Sequence, residues 1–191
     1  MKVSDELVAE ALKTSVASVH EAAGRAGALP ADIRPIDMDS VLCGRAFTVR
    51  CPSGDNLWIH KALSDARPGD VLVIDAGPNG EQFGYWGEIM ATAAIASGLA
   101  GIVISGGVRD VKRLRELGLP TFSASITMRG TIKDPEGDGA LRDIVRMGEV
   151  AIRTGDFVMG DADGLIAISP ERAAAAVPAA IERDQKEHSI L

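Results

Sequence analysis

The sequence predicts a single α/β domain with a βαβαβ core, followed by mostly antiparallel strands and a C-terminal helix. Strand-like apolar runs alternate with helix-like stretches up to residue 117. Beyond Pro120 the pattern changes to short β segments separated by turns such as DPEGDG and DADG. No internal repeat and no linker interrupts the 191 residues, so we expect one domain over residues 1–191.

Composition restricts the class of protein. The chain is 46% hydrophobic and 25% charged, with a net charge of −7, which is typical of a folded globular protein. It has no block of Lys or Arg, so nucleic acid is not a favoured ligand. No apolar run approaches the ~18 residues that suggest a membrane span, and the N-terminus lacks a signal-peptide pattern. We therefore expect no membrane association and a cytoplasmic location, with Cys43 and Cys51 as partly buried free thiols.

The first half of the chain supplies the core. We predict a helix that begins at Asp5 as its cap and continues through Val19, then a strand over residues 41–51. Asp55 is expected to cap a helix that ends near Ala66. A strand over residues 71–75 follows.

The stretch 87–110 is the most informative. It predicts a helix over residues 88–97, rich in small side chains, and a strand over residues 101–105. That strand, GIVIS, is fully apolar, the pattern of a parallel strand covered on both faces. A helix over residues 110–117 completes the βαβαβ run, whose crossovers we expect to be right-handed.

The second half reads as short strands. We predict them over residues 121–125, 126–133, 150–153, 156–160 and 165–168. Pro170 opens a final alanine-rich helix that runs near the C-terminus.

Candidate site residues lie at the two ends of the stretch 87–110. Glu88 opens one helix, and Arg109 and Asp110 follow the GIVIS strand. Ligands bind outside the carboxyl ends of the strands of an open α/β sheet, so both helix N-termini are expected to face one crevice. The free backbone N–H groups of Ile89 and Met90 would hold an anion there, and Arg109 would grip a carboxylate. Glu88 and Asp110 carry hard oxygen atoms suited to Mg²⁺.

A simpler interpretation of the same residues stays open. Acidic side chains are favoured in the first turn of any helix, so Glu88 and Asp110 also fit the role of helix starters. Gly106-Gly107 also fits an ordinary tight turn.

Six segments, in order, resemble one known family. They are CPSGDNLWIHKAL, RPGDVLVIDAG, YWGEIMATAAIASGLAGIVISGGVRD, RELGLPTFS, RGTIK and DADGLIAISPERA. The chain resembles, from about residue 41 to 191, the 4-hydroxy-4-methyl-2-oxoglutarate / 4-carboxy-4-hydroxy-2-oxoadipate aldolases, a family that also contains regulators of ribonuclease E activity. The most specific element is an acid, twenty intervening residues and Arg-Asp, met here by Glu88 and Arg109-Asp110.

This resemblance implies a swivelling β/β/α domain and a metal-dependent pyruvate aldolase that uses no Schiff-base lysine. Asp110 would be the direct ligand of Mg²⁺ or Mn²⁺, and Arg109 would bind the pyruvoyl group. The backbone at Gly87, Ile89 and Met90 would hold the substrate carboxylate.

Two glutamates complete the implied catalytic set. Glu88 stands where the aldolases have Asp and would orient a metal-bound water. Glu187 matches a C-terminal-helix glutamate that enters the neighbouring subunit's site in this family. The resemblance thus also implies a homotrimer or homohexamer with sites at subunit interfaces.

The implied reaction is retro-aldol cleavage of a 4-hydroxy-2-oxo diacid, which releases pyruvate, with oxaloacetate decarboxylation as a side activity. The alternative is a non-catalytic, protein-binding regulator of ribonuclease activity, although that branch lacks the Asp found here as Asp110. The aldolases often carry an acid where this chain has Arg113. This difference and the Glu at position 88 bear on the substrate and leave the metal and pyruvoyl half of the site intact.

Overall fold

The computed structural model describes residues 1–188, and the side chains of residues 1–186. Six α-helices lie in this part of the chain: α1 (Asp5–Ala11), α2 (Val16–Ala22), α3 (Leu57–Asp65), α4 (Glu88–Ala96), α5 (Val111–Leu117) and α6 (Pro170–His188). No helix within these residues combines the length and apolarity needed to cross a membrane.

The strands form one large mixed sheet and one small hairpin. They are β1 (Arg34–Pro35), β2 (Leu42–Arg50), β3 (Asp70–Asp75), β4 (Gly84–Trp86), β5 (Gly101–Val108), β6 (Thr121–Ile126), β7 (Ala140–Leu141), β8 (Val145–Met147), β9 (Val150–Ile152), β10 (Phe157–Asp161) and β11 (Gly164–Ile168). The large sheet has the order β1-β6-β5-β3-β2-β10-β11, with β4 paired to β5 and β7 to β2. Strands β8 and β9 pair only with each other.

The predicted βαβαβ core is confirmed. Strands β2, β3, β5 and β6 are neighbours and run parallel, with α3, α4 and α5 in the connections between them. Successive residues of a strand point to opposite faces, and both faces are buried here. Leu72 and Ile74 pack with α3 and α4 in one core cluster, whereas Val71 and Val73 pack with the β8–β9 hairpin in another. A third cluster joins α1, α2 and α6 to β10 and β11.

The second half adds antiparallel pairs, as predicted, through β10 with β2 and β11 with β10. The predicted strand over residues 126–133 is wrong. Its apolar side chains Ile126, Met128 and Ile132 are more than half exposed, so no sheet face buries them. Beyond Ile126, the last residue of β6, the segment is irregular, with one isolated bridge between Ile132 and Asp55.

Two predicted helix starts and the length of the first predicted helix also need correction. The first predicted helix consists of two helices, α1 and α2. Ser15 is the N-cap residue of α2, and its Oγ accepts the Ser18 N–H at 3.1 Å. Ser4, not Asp5, caps α1. Asn56, not Asp55, holds the N-cap position of α3, although Asp55 Oδ1 accepts the Leu57 N–H at 2.7 Å.

Strand β4 determines where the candidate site forms. With three residues, it is too short to show an alternating pattern of polar and apolar residues in the sequence. It runs parallel to β5, with Gly84 opposite Gly107 and Trp86 opposite Val108. Gly87 therefore follows the carboxyl end of β4, and Arg109 follows the carboxyl end of β5. The two ends of the stretch 87–110 emerge side by side from adjacent parallel strands.

Both cysteines are free and buried. Burial raises the pKa of the Cys43 thiol to about 12. Burial, with the nearby Asp55 and Asp75 carboxylates, raises the pKa of the Cys51 thiol to about 12. Between an ordinary pKa of 9.0 and these values, the folded protein keeps thiol protons that the unfolded chain loses. The two thiols therefore lower the free energy of unfolding as the pH rises through this range.

We predict that neither cysteine reacts readily with a disulfide reagent in the folded protein at pH 8, because the thiolate is the reactive form and both thiols are buried. Absorbance after addition of Ellman's reagent measures the reaction, with and without urea. A Ser64→Cys variant on the exposed face of α3 supplies the matched reactive thiol. Rapid labelling of either native cysteine without urea would contradict the prediction.

Candidate active site

The two ends of the stretch 87–110 meet through one hydrogen bond. The Glu88 backbone N–H donates to Asp110 Oδ2 at 3.2 Å. Glu88 is the first residue of α4, where backbone N–H groups have no partner within the helix. Asp110 thus caps a helix that begins twenty-two residues earlier in the chain. The predicted convergence of Glu88, Arg109 and Asp110 follows from the pairing of β4 with β5.

Asp110 reaches this position through an uncommon backbone conformation. Its φ of 58° and ψ of 34° place it in the left-handed region. Asp is among the few residues that tolerate this region, and such strain concentrates at functional sites. Asp110 was predicted as the first residue of its own helix. It instead occupies the N-cap position of α5 and makes no side-chain cap there, because its carboxylate serves α4.

Gly87 is required by close approach. A Cβ atom at this position would lie 2.4 Å from Asp110 Oδ2 and 3.2 Å from Arg109 Cγ. Its φ of −163° is ordinary extended backbone, so conformation does not explain the glycine. The missing side chain instead lets the Asp110 carboxylate lie against the start of α4.

Arg109 lies beside the same carboxylate. Its backbone N–H donates to Trp86 O at 2.9 Å, which fixes it against the end of β4. Its Nε lies 3.9 Å from Asp110 Oδ2, and both side chains are about half exposed. At this exposure the pair adds little stability, so the guanidinium remains available to an incoming anion.

Glu88 has a partner that the sequence analysis did not identify. Arg113 Nε donates to Glu88 Oε1 at 3.0 Å, and Arg113 Nη1 also contacts Glu116. The hydrogen bond to Glu88, followed by that to Glu116, raises the pKa of Arg113 above its ordinary value. The two positions at which this chain was expected to differ from the aldolases, Glu88 and Arg113, are thus in direct contact with each other.

The predicted amide donors occupy the first turn of α4. Ile89 and Met90 follow Glu88, so their N–H groups lie where the helix offers donors to an anion. The Ile89 side chain is 81% exposed, whereas Met90 is buried. The structure thus brings Gly87, Glu88, Ile89, Met90, Arg109 and Asp110 together. The side chain of Glu187 lies outside the described residues, and its predicted role stays a prediction.

Two buried polar atoms next to the site were missed by the sequence analysis. Asn56 Oδ1 and Trp86 Nε1 have no hydrogen-bond partner among the described residues. Asn56 Nδ2 donates to Tyr85 O at 2.9 Å and lies 3.7 Å from Met90 Sδ. Buried polar groups are usually paired, so both atoms suit a water or ligand group. The sequence offered one indication that Asn56 lies near the site, namely its position in CPSGDNLWIHKAL, one of the six segments that resemble the aldolase family.

A cavity of about 930 Å³ lies elsewhere, near the amino end of β3, where Asp70, Arg45 and Arg67 line it. It contains none of the predicted site residues. The candidate site is more open and is defined by convergent polar groups rather than by volume.

Comparison with known proteins identifies the family. The sequence matches the RraA-like family, described as Aldolase/RraA, over residues 2–167. The chain therefore belongs to the Aldolase/RraA family. It is 36% identical over 140 residues to a protein of Halalkalibacterium halodurans named "Putative 4-hydroxy-4-methyl-2-oxoglutarate aldolase". That match covers 73% of this chain and 65% of the relative, so the chain matches slightly less than two thirds of that relative's length.

Solved structures agree with this assignment. The RraAS2 protein of Streptomyces coelicolor, described as an unusual member of the RNase ES inhibitor RraA family, superposes with a TM-score of 0.82 at 26% identity, covering 98% of this chain and 97% of that one. The RNA-processing inhibitor RraA from Thermus thermophilis gives a TM-score of 0.73 at 27% identity, covering 81% and 92%. The predicted family and fold class are confirmed.

On the expectation that Asp110 ligates the metal ion, we predict that Gly87→Ala weakens Mn²⁺ binding by about 10-fold or more, because the new Cβ would displace the Asp110 carboxylate. Titration calorimetry with MnCl₂ measures the affinity. Gly118→Ala is the control, since Gly118 has positive φ but no atom within 4 Å of an added Cβ. That variant bears backbone strain without touching the site. Equal affinities for Gly87→Ala and the unmodified protein would contradict the prediction.

Proposed function

We propose that this protein cleaves a 4-hydroxy-2-oxo diacid by a retro-aldol reaction that depends on a divalent metal ion and releases pyruvate. Candidate substrates are 4-hydroxy-4-methyl-2-oxoglutarate and 4-carboxy-4-hydroxy-2-oxoadipate, with oxaloacetate decarboxylation as a side activity. The observation that carries the proposal is the hydrogen bond between Asp110 and the Glu88 N–H, with Arg109 alongside. A carboxylate, a guanidinium and helix N–H groups converge there in one open site.

The donor set fits Mg²⁺ or Mn²⁺. Asp110 has a half-exposed carboxylate oriented by the Glu88 backbone N–H, and Glu88 itself carries a second, half-exposed carboxylate at the start of α4. In the described part of the chain, no three His, Cys, Asp or Glu side chains gather into a cage for a metal ion. Mg²⁺ commonly takes one or two protein carboxylates and keeps several waters, so this small set suits it. Asp110 would be the direct ligand.

Different residues of the site bind different groups of the proposed substrate. The N–H groups of Ile89 and Met90 bind the substrate carboxylate at the positive end of α4. Gly87, just before them, leaves the space that the Asp110 carboxylate needs beside these N–H groups. Arg109 holds the pyruvoyl group and stabilises the negative charge that develops on its 2-oxo oxygen. A bound divalent ion would polarise the same oxygen as a Lewis acid.

The proposed reaction needs a path for one proton. Loss of the 4-hydroxyl proton turns that carbon into a carbonyl as the bond between C3 and C4 breaks, and the bonding electrons form the enolate of pyruvate. The enolate then takes a proton at C3 and is released as pyruvate. Glu88 Oε1 accepts from Arg113, which leaves Oε2 to orient a water that takes the proton. Oxaloacetate loses CO₂ through the same enolate without this proton transfer, which is why decarboxylation accompanies the proposed activity.

The proposal includes a homotrimer or homohexamer with sites at subunit interfaces. Its support is a group of exposed apolar side chains close to the site. Ile89 lies on the first turn of α4, and Ile126 and Met128 flank Thr127, whose N–H donates to Val108 O at the end of β5. Ile89 is 81% exposed and Met128 is 93% exposed. Apolar surface of this kind suits contact with another subunit, from which Glu187 would enter the site.

Regulation of a ribonuclease is the second candidate. The RraA structures at 26% and 27% identity support it, since their descriptions name inhibitors of RNA processing or of RNase ES. Asp110 favours the enzyme over this alternative. A pure binding surface does not need a left-handed aspartate that caps a distant helix beside an arginine.

We predict that Asp110→Asn lowers pyruvate release from oxaloacetate and from 4-hydroxy-4-methyl-2-oxoglutarate by about 100-fold or more in the presence of Mg²⁺. Asn tolerates the left-handed backbone of this position, so the variant removes the charge and keeps the fold. A lactate dehydrogenase-coupled assay follows pyruvate, and EDTA is expected to abolish the activity of the unmodified protein.

Asp32→Asn, at an exposed turn, is the charge-matched control and is expected to keep full activity. Turnover that is indifferent to EDTA and to Asp110→Asn would rule out the proposed reaction. Recovery of a ribonuclease by the purified protein, without any turnover, would support the regulator instead.

A further inference from the structure

We propose that Arg113 binds the distal carboxylate of the substrate and so selects dicarboxylic over monocarboxylic 2-oxo acids. This inference rests on the proposed function and gives Arg113 a contact with the substrate in addition to its hydrogen bond to Glu88. In the retro-aldol cleavage, neither the bond broken between C3 and C4 nor the enolate formed involves the distal carboxylate. A residue that binds it therefore determines substrate choice.

The position of Arg113 supports this role. It lies in the first turn of α5, three residues after Asp110, and residues at this spacing share one side of a helix. Its Nε reaches Glu88 Oε1 at 3.0 Å, across the same gap between α4 and α5 that Asp110 spans. The guanidinium therefore lies at the mouth of the candidate site.

Arg113 also keeps donors for a ligand. Nε donates to Glu88 and Nη1 to Glu116, while Nη2 has no partner among the described residues. The side chain is 51% exposed. Guanidinium presents its N–H groups in a planar fork that matches a carboxylate with two parallel hydrogen bonds. An incoming carboxylate can use Nη2 together with a donor that now serves Glu88 or Glu116.

The net charge of the side chains around the site supports a preference for a substrate with two carboxylates. The carboxylates of Glu88, Asp110 and Glu116 outnumber the guanidinium groups of Arg109 and Arg113 by one. A divalent cation would turn this cluster positive by one charge, enough to favour a dianion over a monoanion. Without Arg113 the same cluster would be neutral and the preference would be lost.

The two arginines therefore have different tasks. Arg109 is next to Asp110, with its Nε 3.9 Å from Oδ2, and serves the pyruvoyl half. Arg113 lies in the first turn of α5 and extends toward Glu88. We place the part of the substrate beyond its pyruvoyl group on this side of the site, away from the proposed metal ligand and the helix N–H groups. The competing interpretation is that Arg113 only stabilises α5 through its pair with Glu116, three residues later.

Binding of two unreactive acids separates these interpretations. In the presence of Mn²⁺, calorimetry would compare 2-oxoglutarate with 2-oxopentanoate, which has the same chain length and a methyl group in place of the distal carboxylate. We expect the unmodified protein to bind the diacid more tightly. Arg113→Gln is expected to weaken the diacid by about 10- to 100-fold and to leave the monoacid unchanged. Arg113→Lys is expected to recover part of the preference, because it keeps the charge without the fork.

Lys112→Gln removes the same charge from the exposed neighbouring position and is the matched control; its diacid preference is expected to remain. In turnover of 4-hydroxy-4-methyl-2-oxoglutarate, Arg113→Gln is expected to raise KM by a larger factor than it lowers kcat. Equal weakening of both acids, or no weakening, would overturn the role of Arg113 while the proposed function stands. Failure of the unmodified protein to bind either acid with Mn²⁺ would overturn both.

Discussion

The candidate site depends on one hydrogen bond, from the Glu88 N–H to the Asp110 carboxylate. Several features of the chain make this contact possible. Strands β4 and β5 run parallel and end together, Gly87 has no side chain to obstruct the carboxylate, and Asp110 accepts a left-handed backbone. If any of these changed, Asp110 and the start of α4 would separate. Arg109 and the N–H groups of Ile89 and Met90 would then no longer face a common ligand.

The sequence predicts much of the fold because buried parallel strands have a distinctive composition. The segments VLVID and GIVIS are continuous apolar runs, and they form the centre of the sheet as β3 and part of β5. Prediction failed where that relation breaks down. Residues 126–133 carry isoleucines and a methionine that remain exposed, so their apolar character does not indicate a strand. Strands β1, β4 and β7 have at most three residues, too few to display an alternating pattern.

The candidate site likewise has one part that the sequence predicts and one part that it does not. Glu88, Arg109 and Asp110 were predictable, because helix starts that follow strands of one parallel sheet open on the same edge. The contact between Glu88 and Arg113 joins two helices, and the unpaired Asn56 Oδ1 lies 34 residues from Met90, whose sulfur its amide approaches. No local pattern reports such contacts. They arise from tertiary packing between residues far apart in the chain.

The hydrogen bond from the Glu88 N–H also orients the Asp110 carboxylate, the proposed metal ligand. A carboxylate has room for several partners, so an Asp110 oxygen that accepts the Glu88 N–H can still face a cation. Hydrogen bonds of this kind orient a ligating carboxylate before a metal ion arrives. One interaction therefore both caps α4 and orients Asp110, so the stability of the α4 start is coupled to the geometry of the proposed metal ligand. Arg113 and Glu88 add a second contact between α4 and α5. Through it, the proposed binding position of the distal carboxylate is connected to the proposed metal ligand.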